Sequence, residues 1–459
     1  MSRKWIEDTV VVVESRGGDG LSISVRNGRT PIPPLRPTRD PTDGSLSRYP
    51  TPEAHTMPRL PSFTRFRLPR FGFPLLILIA LTTSGLVADE LPKPVKTPLS
   101  AALQPFVDRS TLAGAVVLVA DESGVLAVEA VGYADVAGKV PMKTDSMFWI
   151  ASQSKPITAV ALMILVDEKK VGLDDTVAKY LPELGNLWVV AERDKEHMLL
   201  KRPTRAVTVR DLLNHTSGMP YRSAAEEPTL DALSLKAAVK SYAMTPLETE
   251  PGTKYQYSNA GINTAARIVE VVSGVSYEKF LDERLFGPLG MTDTTFWPSA
   301  EQVKRLAKAY KPGKDGKGLV EFKIEQLQYP LSEKANRYPM PAGGLFSTAK
   351  DVGQFCRMLL GNGTLDGKRI LSPEAVAEMS KRQTPASVKE SYGLGFSVGG
   401  GTFGHGGALS TNMTIDPKRG QVSVWLIQHA GFPKDGDVDG AKAQDAFRKV
   451  KLGRPDAGK

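Results

Sequence analysis

Between Ile157 and Val166 the only polar residue is Thr158, and the apolar run stops at Asp167-Glu168-Lys169-Lys170. A helix without a polar side has to be enclosed by other elements, so the segment predicts a helix buried on every face that reaches solvent at its C-terminus. The chain must build a substantial core around it. Its N-terminal flank, Ser152-Gln153-Ser154-Lys155-Pro156, is polar where the helix is not. Ser152 and Lys155 stand three residues apart and share one helix face, while Pro156 fits the first turn, where N–H groups lack intrahelical partners. A hydroxyl one turn from an amine that must lose its charge or find partners has the make-up of a nucleophile beside its base.

The spacing alone is weak evidence, because Ser276/Lys279 and Ser347/Lys350 repeat it where helix caps or amphipathic surface helices account for it. The apolar helix behind Ser152 and Lys155 sets that pair apart.

With 459 residues, 41% apolar and 24% charged, the chain fits a soluble globular protein of one large domain or two to three smaller ones. The net charge of +9 is uneven: residues 1–88 hold 12 Lys+Arg against 7 Asp+Glu, and the remainder 47 against 43. The larger part is near balance, which removes the case for a nucleic-acid partner.

Residues 1–56 are rich in Arg, Pro, Gly and Ser and, apart from Val10–Val13, have no apolar run, so a disordered extension is expected. From Met57 the layout changes. Arg59, Arg65, Arg67 and Arg70 come without an acid, then Leu75-Leu76-Ile77-Leu78-Ile79-Ala80-Leu81, then small residues to Ala88. Residues 57–88 read as a secretory signal peptide; the apolar part is short of the roughly 20 residues that span a bilayer. An uncleaved anchor is the alternative, and it would be the chain's one membrane contact. Periplasmic or secreted localisation is expected, and Met57 is the expected translation start, with residues 1–56 mis-assigned. Residues 89–97 form a linker, 98–452 the globular domain and 453–459 a flexible tail.

Within the domain, Ser100–Val107 predicts a helix. Gly114–Ala120 and Val125–Val131 predict a β-hairpin. Tyr392–Val398, Thr411–Ile415 and Val422–Gln428 read as strands, Asp437–Leu452 as an amphipathic helix, and residues from about Ile150 to Leu371 as mostly helical with long loops, Asn186–Pro203 among them. Strands at both ends with helices between predict an α/β (α+β) fold: an antiparallel sheet from N- and C-terminal strands flanked by helices, with an inserted all-helical lobe.

Two further polar clusters break the pattern. In Tyr257-Ser258-Asn259, ahead of a helix over Ile262–Val272, Ser258 or Asn259 could cap the helix; alternatively Tyr257 exchanges protons with a nucleophile and Asn259 orients a substrate. In Gly404-His405-Gly406-Gly407-Ala408 the glycines make a hairpin turn, or let a substrate lie against a strand edge and aim an N–H at an oxyanion.

In this order, Ser152-Gln153-Ser154-Lys155, Tyr257-Ser258-Asn259 and His405-Gly406-Gly407 resemble the three active-site motifs of the serine beta-lactamase and penicillin-binding-protein superfamily, in its class C-like branch of DD-peptidases, D-aminopeptidases and beta-lactamase-like carboxylesterases. Pro341-Ala342-Gly343-Gly344-Leu345-Phe346-Ser347-Thr348 and Asn214-His215-Thr216-Ser217-Gly218 are similar too. The resemblance implies Ser152 as acylated nucleophile, Lys155 as its amine partner, Tyr257 as proton exchanger and Asn259 as substrate holder. It also implies an oxyanion hole from the N–H groups of Ser152 and Ala408, and a cleft between an α/β sandwich and a helical lobe.

One position departs from the family. Where beta-lactamases of this branch carry Lys-Thr-Gly, this chain has His405-Gly406-Gly407, and histidine is at most partly charged at neutral pH. The departure favours an esterase or amidase over a beta-lactamase or DD-peptidase. A catalytically silent binder of cell-wall ligands is the expectation from another class. Gly395-Phe396-Ser397-Val398-Gly399 fits a nucleophile elbow but leads into another strand, not a helix. The five histidines are scattered without zinc spacing, no metal or cofactor is called for, and Cys356 reads as a packed helical thiol. The expected protein is an exported serine hydrolase that cleaves an ester or amide through an acyl-enzyme.

Overall fold

The computed structural model describes residues 9–16, 20–27, 98–450 and 452. The expected signal segment 57–88, the linker 89–97, the start at Met57 and the tail 453–459 lie outside the described residues. Within the N-terminal extension, where composition predicts disorder, Thr9–Arg16 and Gly20–Asn27 form an antiparallel hairpin whose first strand also pairs with His197–Lys201. The β-branched run Val10–Val13 favours this pairing.

In chain order the elements that position the site are α1 (Pro98–Asp108), β1 (Gly114–Asp121), β2 (Gly124–Asp135), β3 (Val140–Pro141), α2 (Ser154–Asp167), α3 (Val209–Leu213), α4 (Leu235–Ala243), α5 (Asn259–Ser273) and α6 (Ala349–Leu360). The C-terminal part adds β4 (Ser397–Gly399), β5 (Thr402–Gly406), β6 (Asn412–Asp416), β7 (Gln421–Leu426) and α7 (Ala443–Lys449). The seven strands form one sheet in the order β4-β5-β6-β7-β1-β2-β3, antiparallel at every pairing. The β1–β2 hairpin thus completes a C-terminal meander, as the distribution of β-branched runs predicts.

Strand β1 is apolar throughout because both faces are covered. Val116, Leu118 and Ala120 face the core that contains α2 and α6, while Ala115, Val117 and Val119 face Leu99, Leu103 and Phe447 of α1 and α7. Trp425 of β7 stacks on Phe447, with centroids 5.7 Å apart. Helix α2 is buried from Ser154 to Leu165, as its all-apolar sequence requires, and packs against α5 of the helical lobe. Each large aliphatic side chain it removes from water contributes about 1.5–3 kcal/mol.

Three sequence expectations need correction. Tyr392–Phe396 is not strand: Gly395 sits at φ +81°, where a Cβ would lie 2.4 Å from the Ala159 Cβ, so the chain bends over α2 and only Ser397–Gly399 joins the sheet. The C-terminal helix is shorter than Asp437–Leu452; Asp439 caps a 3-10 turn through the Ala441 N–H, and α7 starts at Ala443. The loop Asn186–Pro203 contains a hairpin, Val189–Arg193 with His197–Lys201. Among the described residues no helix is long and apolar enough to cross a membrane.

Candidate active site

The backbone reverses sharply just before Ser152. Ala151 adopts φ +46°, left-handed space that costs a residue with a Cβ, and three contacts hold it there. The Ser154 hydroxyl donates to Ala151 O (2.7 Å), Leu345 N–H donates to Ser154 Oγ (3.2 Å), and Ile150 N–H donates to Leu345 O (3.0 Å). Ser152 therefore sits on a 3-10 turn, Ala151–Gln153, partly exposed at the head of a buried helix.

Behind it, Lys155 is fully buried. Its Nζ lies 3.1 Å from Ser152 Oγ and donates to Ala342 O at 2.7 Å, with no carboxylate among its partners. Burial drives its pKa well below the ordinary lysine value, so the amine is held neutral. A neutral amine has a lone pair, and at 3.1 Å that lone pair is in reach of the serine proton. Nζ also stands 4.5 Å above the Tyr257 ring centroid.

Tyr257 lies beside Ser152 and is a phenol rather than a phenolate, because burial raises its pKa more than the neighbouring hydroxyl lowers it. The next residue supplies the fold: Ser258 caps α5 by accepting the Gly261 N–H (2.9 Å) and donates its own hydroxyl to Pro220 O (2.7 Å). The capping reading of this cluster falls to Ser258, which leaves Tyr257 and Asn259 on either side of it free of that task. Asn259, the first residue of α5, is buried with Oδ1 lacking a partner among the described residues.

Strand β5 carries His405 and Gly406 to the 3-10 turn that bears Ser152. Gly407 follows, where a Cβ would come within 2.2 Å of Thr411 Oγ1 and 2.5 Å of Ile150 O, so only glycine lets the turn close on Ile150. The turn uses the N–H of Gly407 (to Thr411 O, 2.8 Å) and of Ser410 (to Gly407 O, 3.0 Å), leaving the N–H of exposed Ala408 outside these bonds.

His405 is buried. Its Nδ1 lies 2.6 Å from Gly406 O, a pure acceptor, so Nδ1 carries the proton; Nε2, 2.9 Å from Tyr392 Oη, then accepts the tyrosine proton. Burial pushes its pKa down to about 3, so no cation stands at this position at neutral pH.

Lys155, Tyr257 and the His405–Gly407 segment are thus brought to Ser152, while the two other Ser-x-x-Lys pairs lie elsewhere. Ser347 bonds Thr294 (2.8 Å), and Lys279 pairs with Glu283. Ser397 is exposed on edge strand β4, away from any following helix. Cys356 is a buried thiol in α6, its pKa raised by burial.

Two contributors were not read from the sequence. Tyr392 fixes the His405 tautomer; a tyrosine beside glycines gives no sign of this, although a buried hydroxyl always demands a partner. His215, from the Asn214–Gly218 stretch, accepts the Ser258 N–H at Nδ1 (3.2 Å) and packs its ring on Tyr257 (4.6 Å) and Tyr392 (4.8 Å).

The family model described as Beta-lactamase matches residues 99–447. The chain belongs to the beta-lactamase family. It is 34% identical to a protein of Mycobacterium tuberculosis over 77% of this chain and 95% of that one. It is 28% identical to a lovastatin esterase of Penicillium rubens over 74% and 94%. A penicillin-binding protein 4 of Amycolatopsis lactamdurans is 33% identical over 68% and 78%. Among solved structures, EstCE1, titled a hydrolase with promiscuous acyltransferase activity, superposes with a TM-score of 0.62 at 25% identity, covering 76% of this chain and 96% of that one. The relatives include esterases and penicillin-binding proteins, so the family supports serine hydrolysis as the class of activity.

Proposed function

We propose that this chain is an exported serine hydrolase that cleaves uncharged esters through an acyl-Ser152 intermediate. Neutral Lys155 takes the Ser152 proton as Oγ attacks the ester carbonyl. The N–H groups of Ser152 and Ala408 receive the developing oxyanion, each worth about 2.7–4 kcal/mol on the scale of single-donor removals. Tyr257, a neutral phenol beside Ser152 and Lys155, takes the proton of the Lys155 ammonium as it gives its own to the leaving alkoxide. Water then reverses the sequence and frees the serine. Asn259 Oδ1 is an open acceptor for a donor on the substrate. Export rests on the layout of residues 57–88.

The observation that carries the choice of substrate is the neutral His405, locked to Tyr392 where lactamase-type members place a cation. A carboxylate there would be desolvated without a counter-charge, which is costly. The esterase and EstCE1 among the similar proteins support the same reading. Steady-state kcat/KM for a short-chain aryl ester, a chromogenic cephalosporin and a D-Ala-D-Ala peptide tests it. The ester should exceed the other two by at least about a hundredfold; equal or better turnover of the cephalosporin or peptide contradicts it.

A further inference from the structure

A line of buried hydrogen bonds leaves the site through Ala342 and ends in the helical lobe. Ala342 O accepts from Lys155 Nζ, while Ala342 N–H donates to Asn263 Oδ1 at 3.1 Å. Asn263 Nδ2 donates to Tyr242 Oη at 3.0 Å, and that hydroxyl donates to Glu226 Oε1 at 2.7 Å. Glu226 Oε2 accepts the Ser223 N–H at 2.8 Å. Asn263, Tyr242, Glu226 and Ser223 are each no more than 3% exposed. They come from α5, from α4 and from the 3-10 turn Ala224–Glu226. None of them belongs to a motif singled out in the sequence.

The Pro341–Ala342 peptide unit is gripped at both ends. Pro341 O accepts from Thr158 Oγ1 (2.9 Å), one turn along α2 from Lys155, and Ala342 N–H is held by Asn263. A planar peptide fixed at its oxygen and its nitrogen has little rotational freedom, and with the Gly343 N–H bonded to Met340 O at 3.0 Å the following unit is held too, so the Ala342 carbonyl keeps one direction. That carbonyl receives one N–H of the Lys155 amine. With one N–H committed, rotation about the Cε–Nζ bond is stopped and the remaining positions on nitrogen are fixed toward Ser152.

We infer that Asn263, Tyr242 and Glu226 are positioning residues for Lys155, holding the Ala342 carbonyl so that the amine's lone pair faces Ser152 Oγ. This rests on Lys155 acting as the base of the proposed reaction. A carboxylate buried with no ion pair among the described residues is costly to keep, and a fully connected polar chain of this kind confers rigidity on whatever it terminates on. Here that terminus is the amine.

The test compares full-length wild type with Tyr242→Phe, Asn263→Leu and the double variant, measuring kcat and KM for an aryl ester and the rate of fluorophosphonate labelling of Ser152. Ser372→Ala, which removes the cap bond to the Ala375 N–H and a bond to Asp167 at the far end of α2 while leaving this line of hydrogen bonds intact, controls for lost stability. Each single variant should lose about tenfold or more in kcat and in labelling rate with KM within about twofold of wild type. The double variant should lose no more than the worse single, because one broken link disconnects the line, and Ser372→Ala should keep wild-type kcat. Folded single variants with wild-type kcat, or losses that multiply in the double variant, overturn the inference. If Asn263→Leu fails to fold, Tyr242→Phe decides alone. A folded wild type that neither turns over the ester nor is labelled overturns the functional reading and this one with it.

Discussion

Replacing Lys155 with methionine should make the protein more resistant to alkaline-dependent changes in stability while destroying its activity. In the unfolded chain this lysine carries its proton up to its ordinary value of 10.5; in the folded protein burial holds the pKa far lower. Between those two values the unfolded state binds one more proton than the native state, so wild-type stability rises with pH by about 1.4 kcal/mol per unit. Below the folded value the burden is constant and at its largest; by pH 10.5 it has vanished. Methionine has no proton to lose, so its variant lacks this slope. The variant also leaves the Ala342 carbonyl without a donor, an offset of about 1–3 kcal/mol that does not change with pH. Urea denaturation of both proteins at pH 7, 8, 9 and 10 isolates the slope from the offset. The difference in unfolding free energy should change by up to about 1.4 kcal/mol per pH unit, in favour of wild type as pH rises. Parallel stability curves would refute a neutral buried amine. Ester turnover by the variant should fall by several orders of magnitude, as expected for loss of a base that acts with its nucleophile as a unit.

Other consequences are equally direct. His405 and His429, held down to about 3 and about 4 by burial, stay unprotonated in the native state while the unfolded chain takes up protons below about 6.5. Acidification from pH 6.5 to 4 should then cost about 1.4 kcal/mol per unit for each, and His405→Asn should remove one share of that slope in denaturation curves. Asp231→Ala should destabilise by about 3–5 kcal/mol, because it leaves the buried Arg337 guanidinium (Nε to Asp231 Oδ2, 2.7 Å) without its counter-charge; a loss below about 1 kcal/mol in urea melts would contradict this. Gly407→Ala should abolish ester turnover, since its Cβ collides with Thr411 and Ile150; a variant with wild-type kcat would show that the turn is free to move.

The sequence showed the core helix most clearly, because an apolar run interrupted only by Thr158 admits no other placement than full burial. The hairpin of β1 and β2 was also legible, from its β-branched runs around a glycine turn, and the three ordered motifs were legible through their resemblance to a known family. The pieces that escaped have no such signature. Ala342 acts through its carbonyl, which any residue could present, and Tyr392 acts through a partner thirteen positions away. Gly395, at φ +81°, lets the chain bend where a residue with a Cβ would have kept it extended, so the strand expected over Tyr392–Val398 shrank to its last residues. The hairpin within Asn186–Pro203 is half exposed, and its alternation is too irregular to separate from a loop.

The claim on which the account depends is that Ser152 is the nucleophile. Intact-mass spectrometry after incubation with a fluorophosphonate, on wild type and on Ser152→Ala, measures it directly. The account predicts a single phosphonyl adduct on wild type and none on the variant, with benzylpenicillin adding no mass to either. An adduct that persists in Ser152→Ala, or a folded wild type that takes no label, would contradict it.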